Sequence, residues 1–330
     1  MPDIEVKRRL DEDDLAAVTE LLTAASEADA HPALGEHAWL DLVQGGREGF
    51  AGLVAWEPGH SHPVGYAQLS LGPHDSGGEG FSWGLEVVVD PHHRTPGNTV
   101  AVDLVREAMK LIAGEGGGHL HLWVSQPAPY HDRMAAAVGL KPGRALYQMR
   151  RPLPAEEHAT IKTRPFRPGS DEQAWLEVNN RAFQWHPEQG GWTVETIKAR
   201  ETQPWFDPDG FLLYETSDEE GDAPAPRLVG FCWTKVHEAH NSSPGAPSLG
   251  EIYVVAVDPD FAGRGLGRQL TLAGLDYLSS IGLTQAMLYV DATNSPAVKL
   301  YVDLGFTVNH IDRAYTGDID AAPASSGPTG

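Results

Sequence analysis

Between Val257 and Leu270 the chain reads VDPDFAGRGLGRQL: Gly263, Gly265 and Gly267 alternate with Arg264, Leu266 and Arg268. An extended apolar run, Ile252 to Val257, leads into this stretch, and a helical pattern over Gln269–Ile281 follows it. A helix N-terminus leaves backbone N–H groups unpaired and carries partial positive charge, so it can hold an anion. Glycines let a phosphate approach the backbone closely. The residues suit a pyrophosphate cradle; they suit equally a helix start that uses glycine only to turn tightly. The spacing matches neither the P-loop nor the dinucleotide fingerprint, and no Lys-Ser or Lys-Thr follows the glycines.

Other reactive side chains give weaker signals. Cys232 is the single cysteine, so no intrachain disulfide and no cysteine metal site is available. It stands in the apolar run LVGFCWTKV and reads as a buried structural thiol. His92 and His93 lie in a turn, and His119 and His121 share one strand face. Neither pair has a third ligand at a recognisable metal spacing, so no metal is expected.

The elements that must position the glycine turn occur twice. EVVVDPHHRTPGNTVAVDLVREAMKLI (86–112) parallels VVAVDPDFAGRGLGRQLTLAGLDYLSSI (254–281), with Asp90-Pro91 and Gly97 opposite Asp258-Pro259 and Gly265. Further on, Val124 and Gly139-Leu140 stand opposite Val290 and Gly305-Phe306. The chain therefore reads as a tandem duplication of one domain, not a solenoid of many short repeats. The first copy spans 1–152, a proline- and charge-rich linker 153–159, the second copy 160–317, and a disordered tail 318–330. A first strand of the second copy is expected near Ile161. After it come a helix over 172–183, strands over 211–215, 228–237 and 251–257, the helix after Gly265, a strand over 286–290, a helix over 296–304 and a strand over 308–315. This order predicts an α/β (α+β) class, each copy a mixed sheet flanked by helices.

Composition narrows the partners. With 46 acidic against 24 basic residues, the formal net charge of -22 repels nucleic acid and anionic lipid and is compatible with a cationic small molecule. No apolar run reaches the ~18 residues of a membrane span. The start, MPDIEVKRRLDEDD, has no apolar signal core, so a cytoplasmic enzyme is expected. A duplicated chain can build a cleft alone, which favours a monomer.

A strand ending V-x-V-D-P, then spaced glycines, a helix, a strand, and N-x-x-A-x-x-x-Y-x-x-L-G-F resembles the GNAT acyl-CoA N-acetyltransferase family. Here the residues are Val255, Val257, Asp258, Pro259, the three glycines, Asn294, Ala297, Tyr301, Leu304, Gly305 and Phe306. The tandem copies, with RAFQWHPEQGGWT, FCWTKVH and ALGEHAWL, resemble the narrower mycothiol synthase family of actinobacteria. That resemblance implies transfer of acetyl from acetyl-CoA to the cysteinyl amine of 1D-myo-inositol 2-(L-cysteinylamino)-2-deoxy-alpha-D-glucopyranoside. It implies that the turn Ala262, Gly263, Arg264, Gly265, Leu266, Gly267 and Arg268 holds the pyrophosphate of coenzyme A. Ala262 departs from the usual Gln or Arg there, which predicts a weaker contact.

Amide formation needs a neutral amine, a carbonyl held beside it and a stabilised leaving thiolate. Glu251, at the start of the strand, is the candidate base, acting through water. By resemblance Tyr301 protonates the coenzyme A sulfur, Asn294 bonds the cofactor chain, and the amides of Val255, Ala256 and Val257 hold the acetyl carbonyl and pantetheine. The resemblance also assigns Glu36, Glu188, Lys235 and Tyr289, with Glu251, to the polyhydroxy substrate. The first copy sets Trp83 opposite Glu251, Ala135 opposite Tyr301, Ala128 opposite Asn294 and Thr99 opposite Gly267, with Arg94 in place of Ala262. No chemistry is expected there, although acetyl-CoA could lie along Val87, Val88 and Val89. Two rival readings keep the fold: an acetyltransferase for another amine, such as an aminoglycoside, and a non-catalytic acyl-CoA sensor.

Overall fold

The computed structural model describes residues 2–46, 49–60, 62–72, 81–95, 97–184, 189–216, 226–238 and 248–323. Two compact units emerge. The first comprises residues up to Ala145 together with those from Ile311; the second is Leu146–His310.

The first half of the chain forms β1 (Asp3–Lys7), α1 (Glu12–Asp29), α2 (Glu36–Val43), β2 (Phe50–Trp56), β3 (Gly65–Gly72) and β4 (Ser82–Val89). Then come α3 (Val100–Gly114), β5 (Gly118–Val124), α4 (Pro129–Ala137) and β6 (Lys141–Pro152). The second half continues with β7 (Arg164–Pro165), α5 (Glu172–Ala182), α6 (Val194–Glu201), β8 (Phe211–Thr216), β9 (Arg227–His237) and β10 (Leu249–Val257). It ends with α7 (Leu266–Ser280), β11 (Gln285–Asp291), α8 (Ser295–Asp303) and β12 (Thr307–Ile319). Among the described residues no helix is long and apolar enough to cross a membrane.

The two sheets have one topology. In the first unit the order is β1-β2-β3-β4-β5-β12, with β4 and β5 parallel and every other pair antiparallel. In the second it is β7-β8-β9-β10-β11-β6, again with only the β10–β11 pair parallel. The sixth strand of each sheet comes from the other half of the sequence. Tyr289 pairs with Gln148 across β11–β6, and Tyr315 pairs with Leu122 across β12–β5. The boundary between units thus runs through β6 and β12 and not through the 153–159 linker. The tail expected from 318 also starts later: Asp318 and Ile319 are strand residues, and Asp318 Oδ1 lies 2.6 Å from His119 Nδ1. The strand expected near Ile161 is the two-residue β7.

Alternation along the strands sends apolar side chains to both faces, so each sheet carries two cores. In the second unit α7 and α8 cover one face, packing Leu270, Leu275, Leu278, Tyr301, Leu304 and Phe306 on Cys232, Ile252, Ala286 and Leu288. The opposite face buries Trp175, Trp192, Phe211, Phe231 and Trp233. Trp175 and Trp233 meet edge to face, and Phe211 stacks on Trp233 at 4.2 Å between ring centroids.

Contact between α7 and the sheet requires a bare helix surface at Gly274. A Cβ there would lie 2.5 Å from Cys232 Sγ and 2.7 Å from Ile252 Cδ1. Gly274→Val therefore overpacks the core and is expected to cost about 1–3 kcal/mol. Chemical denaturation of the full chain reads this out; an unchanged midpoint would show that α7 can withdraw from the sheet freely.

Candidate active site

The glycine turn is built as a strand-to-helix connection in the second unit. Asp258 follows β10, and its side chain accepts from the Asp260 amide at 2.9 Å to start a short turn over Pro259–Phe261. Asp258 is 2 % exposed and is held by Arg181 at 2.6 Å and Arg227 at 3.0 Å. Gly263 and Gly265 have φ of 76° and 77°, the left-handed region that other residues avoid. Gly265 is the N-cap of α7 and has no capping side chain, so the first amides of the helix face outward. Gly267 is the second residue of α7, where glycine is a poorer helix former than alanine. The chain offers no packing reason for it: a Cβ there would meet only Leu300 Cδ2, at 3.9 Å. Ala262 through Gly265 are exposed. Arg264 stacks on Phe261 at 5.0 Å, whereas Arg268 is bonded to Glu157 at 2.7 Å.

Beside the turn, the sheet parts. Val254 to Val257 pair with Trp233 to Gly230 on β9, and Ile252 pairs with Thr234, so the register shifts across Tyr253 in a β-bulge. On its other side β10 pairs with β11 at only two positions, Gly250 with Ala286 and Glu251 with Met287. The backbone of Val255, Ala256 and Val257 thus lies beyond the end of the parallel ladder. In the first unit β4 has no bulge, and the parallel ladder runs for five pairs, Ser82–Glu86 with His119–Trp123.

Glu251 stands where the strands part. It is 7 % exposed, and His237 Nε2 donates to its Oε2 at 2.7 Å. Burial pushes the Glu251 carboxyl up. The hydrogen bond from His237 and the charges of His237 and Lys235 outweigh burial, so the group sits below the ordinary carboxylate value. Directly opposite on β9 is Lys235, its ammonium 4.3 Å from the Trp205 ring and 5.3 Å from that of Tyr253. Residues paired across strands share a face. Lys235, Glu251, Met287 and Arg150 therefore form one row across the sheet, with Tyr289 and Gln148 beside it. Gln148 Nε2 donates to the Tyr289 hydroxyl at 2.9 Å and its Oε1 accepts from Arg150 at 2.8 Å.

Tyr301 is on the other face, in the core under α8, 8 % exposed. Burial above all, then Cys232, raises its phenol well beyond the ordinary value, so it keeps its proton. The Cys232 thiol is pushed up to about 12 by burial, which makes it no nucleophile at neutral pH. Asn294 caps α8: its Oδ1 accepts from the Ala297 amide at 3.3 Å, leaving its NH₂ to offer elsewhere.

Of the remaining candidates, Glu188 lies outside the described residues. Glu36 opens α2 in the first unit, where Glu86 Oε2 accepts from the preceding Gly35 amide at 2.7 Å. His237, Gln148 and Arg150 are absent from the sequence expectations. His237 sits two residues beyond Lys235, on the same strand face, and that spacing is the signal that could have marked it.

The structure also revises the alignment of the copies. Counting across the ladders, the bulge at Tyr253 puts Gly84, not Trp83, opposite Glu251. The N-caps Thr99 and Gly265 correspond, which sets Gly97 opposite Gly263 and makes the first turn two residues longer. Arg94, expected to replace the missing turn arginine, instead donates from Nε to the Val89 carbonyl at 2.9 Å and from its guanidinium to Asp29 at 2.5 Å.

Comparison with known proteins accords with this geometry. Residues 174–306 match the acetyltransferase (GNAT) family model. The mycothiol acetyltransferase of Acidimicrobium ferrooxidans is 43 % identical over 308 residues, 90 % of this chain and 92 % of its own. That of Thermobispora bispora is 42 % identical over 317 residues, 94 % and 99 % of the two chains. Among solved structures, a tandem GNAT protein from the clavulanic acid biosynthesis pathway superposes with a TM-score of 0.63 at 18 % identity, covering 97 % of this chain and 100 % of that one. A GCN5-related N-acetyltransferase from Sphaerobacter thermophilus gives 0.61 at 22 % identity, covering 98 % of each. These two share the fold.

The balance at Glu251 generates a prediction. His237→Ala removes the bond that holds the carboxyl down and leaves burial, so the Glu251 pKa rises. It is read by ¹³C NMR titration of glutamate carboxyls, assigned by difference with Glu251→Gln. The stability tied to the depressed pKa is present above the unfolded carboxylate value and is lost as pH falls through the folded one. His237→Ala should therefore also flatten the acid limb of the stability curve. An unmoved carboxyl resonance would contradict the assignment.

Proposed function

The chain belongs to the mycothiol acetyltransferase family, and from that premise we propose how its second unit transfers acetyl from acetyl-CoA to the cysteinyl amine of 1D-myo-inositol 2-(L-cysteinylamino)-2-deoxy-alpha-D-glucopyranoside. The product is mycothiol, and coenzyme A is released. One observation carries the assignment of roles: the β10–β11 ladder ends at Glu251, with that carboxylate on one face of the sheet and Tyr301 on the other.

The thioester lies in the gap, its pyrophosphate on the turn Ala262–Arg268 and its pantetheine along Val255, Ala256 and Val257. Asn294 offers its NH₂ to the same arm. The sugar and inositol hydroxyls meet the polar face, where Lys235 and Tyr289 stand and Gln148 orients the Tyr289 hydroxyl. A free α-amine has a pKa of about 7.7–8.0, so only mild help is needed to use it neutral. As the nitrogen attacks the thioester carbon, its proton passes through water to the Glu251 carboxylate. The C–S bond then breaks, and the thiolate takes the Tyr301 phenolic proton on the opposite face. A base and an acid on opposite sides of the slot keep the two proton transfers apart. Holding both reactants in that slot can itself supply on the order of 7–11 kcal/mol of the barrier reduction.

The first unit lacks each group: Gly84, Ala135 and Ala128 stand where the second has Glu251, Tyr301 and Asn294. Its longer parallel ladder and the Arg94 bond to the Val89 carbonyl leave less backbone along Val87, Val88 and Val89 for a pantetheine arm. We therefore assign both cofactor binding and chemistry to the second unit.

Coenzyme A release is measured with the cysteinyl substrate, with the same glycoside lacking cysteine, and with an aminoglycoside. Turnover is expected with the cysteinyl compound alone. Glu251→Gln should lower kcat on the order of 10²–10⁴-fold, the range for loss of a general base, with KM for acetyl-CoA little changed. Wild-type kcat in Glu251→Gln would remove the assigned base, and turnover with the aminoglycoside alone would remove the assigned acceptor.

A further inference from the structure

The first unit gathers imidazoles at one end of its sheet. Gly65, at the start of β3, pairs with Ala55 on one side and Val89 on the other. That register delivers the residues after β2 and those after β4 to the same place. Glu57 and His60 follow β2; Asp90, His92 and His93 follow β4. The backbone locks the approach: the Val64 amide bonds to the Ala55 carbonyl at 2.8 Å, and the Asp90 amide to the Val64 carbonyl at 3.0 Å.

Within this cluster, single donor atoms of Glu57, His60 and His93 all lie within 4.8 Å of one another. His93 Nε2 is 3.5 Å from Glu57 Oε2, and the His60 and His93 ring centroids are 4.9 Å apart. Two ligands bonded at about 2.0–2.2 Å to one tetrahedral ion are separated by about 3.3–3.5 Å. The His93–Glu57 spacing already meets that requirement. His60 is exposed, so rotation of its side chain can close the remaining distance.

The other nitrogen of His93 is also accounted for. Its Nδ1 lies 3.3 Å from Asp90 Oδ1, and Asp90 is 4 % exposed. A carboxylate behind an imidazole fixes the tautomer that leaves Nε2 unprotonated toward an ion, the usual support of a metal-bound histidine. The histidines are not needed to make the turn. The second unit builds the same turn at Asp258, with φ of -52° and ψ of 131° against -51° and 131° at Asp90, using Asp260 and Phe261 in place of His92 and His93.

We propose that Glu57, His60 and His93 bind one divalent ion of the zinc class, with solvent in the fourth position and Asp90 positioning His93. Two imidazoles and one carboxylate favour zinc, cobalt or nickel over magnesium or calcium, which prefer all-oxygen sites. The ion would tie the β2–β3 connection to the turn after β4. It lies outside the groups assigned to acetyl transfer.

The test uses the full chain after chelator treatment. Cobalt(II) is titrated in and followed by visible absorption, then displaced with zinc(II). One equivalent is expected to give an intense tetrahedral spectrum, bleached by one equivalent of zinc and untouched by excess magnesium. His60→Ala and Glu57→Gln should each weaken binding about tenfold or more, and Asp90→Asn by about 10–100-fold. Both ligand positions are solvent-accessible, and circular dichroism with chemical denaturation of each metal-free variant serves as the folding check. The absence of a cobalt spectrum, or binding of equal strength in both His60→Ala and Glu57→Gln, would overturn the proposal.

Discussion

One β-bulge shapes the second unit. Tyr253 is an extra residue in β10, and the bulge adds twist and turns the strand away from β11. Without it, β10 could pair as far as β4 does in the first unit, and the backbone from Val255 to Val257 would lie closer to a closed ladder. Because β10 departs just after Glu251, the carboxylate stands at the mouth of the gap and needs no loop to carry it there. The bulge also presents the Tyr253 ring to Lys235. The aromatic core under α5 and α6 supports that side of the sheet, with Trp205 between Trp233 and Tyr253 at 5.8 and 5.2 Å.

A second constraint fixes the turn relative to the gap. Asp258 satisfies a turn amide and two arginines at once, although almost wholly buried. Arg181 comes from α5 and Arg227 from β9, so the end of β10 is held from two elements. The helix that begins at Gly265 cannot drift from the strand that ends at Val257. Phosphate-facing amides and pantetheine-facing backbone therefore keep a set separation, which is what preorganised binding requires.

Much of this was legible in the sequence, and the failures have physical causes. The helices over 172–183 and 296–304 and the strand over 228–237 match the observed elements to within a residue or two, because their apolar periodicity reports burial directly. The glycine turn was legible because positive φ demands glycine. The bulge was not: a register shift is a property of two strands, and Tyr-Val-Val looks the same with or without one. That one residue is why Trp83 appeared opposite Glu251. The destination of β6 and β12 was equally hidden, since the copies end in similar strands and either sheet can accept either one. Glu57 and His60 are separated from His93 by a whole hairpin, so spacing along the chain could not join them.

The central claim is that the opening between β10 and β11 receives the acyl-CoA chain. Amide hydrogen exchange on the full chain, with and without acetyl-CoA, tests this most directly. The account predicts new protection at Val255–Val257 and across Gly263–Arg268, with Val87–Val89 unchanged. Protection confined to Val87–Val89, with Val255–Val257 exchanging as in the free protein, would contradict it.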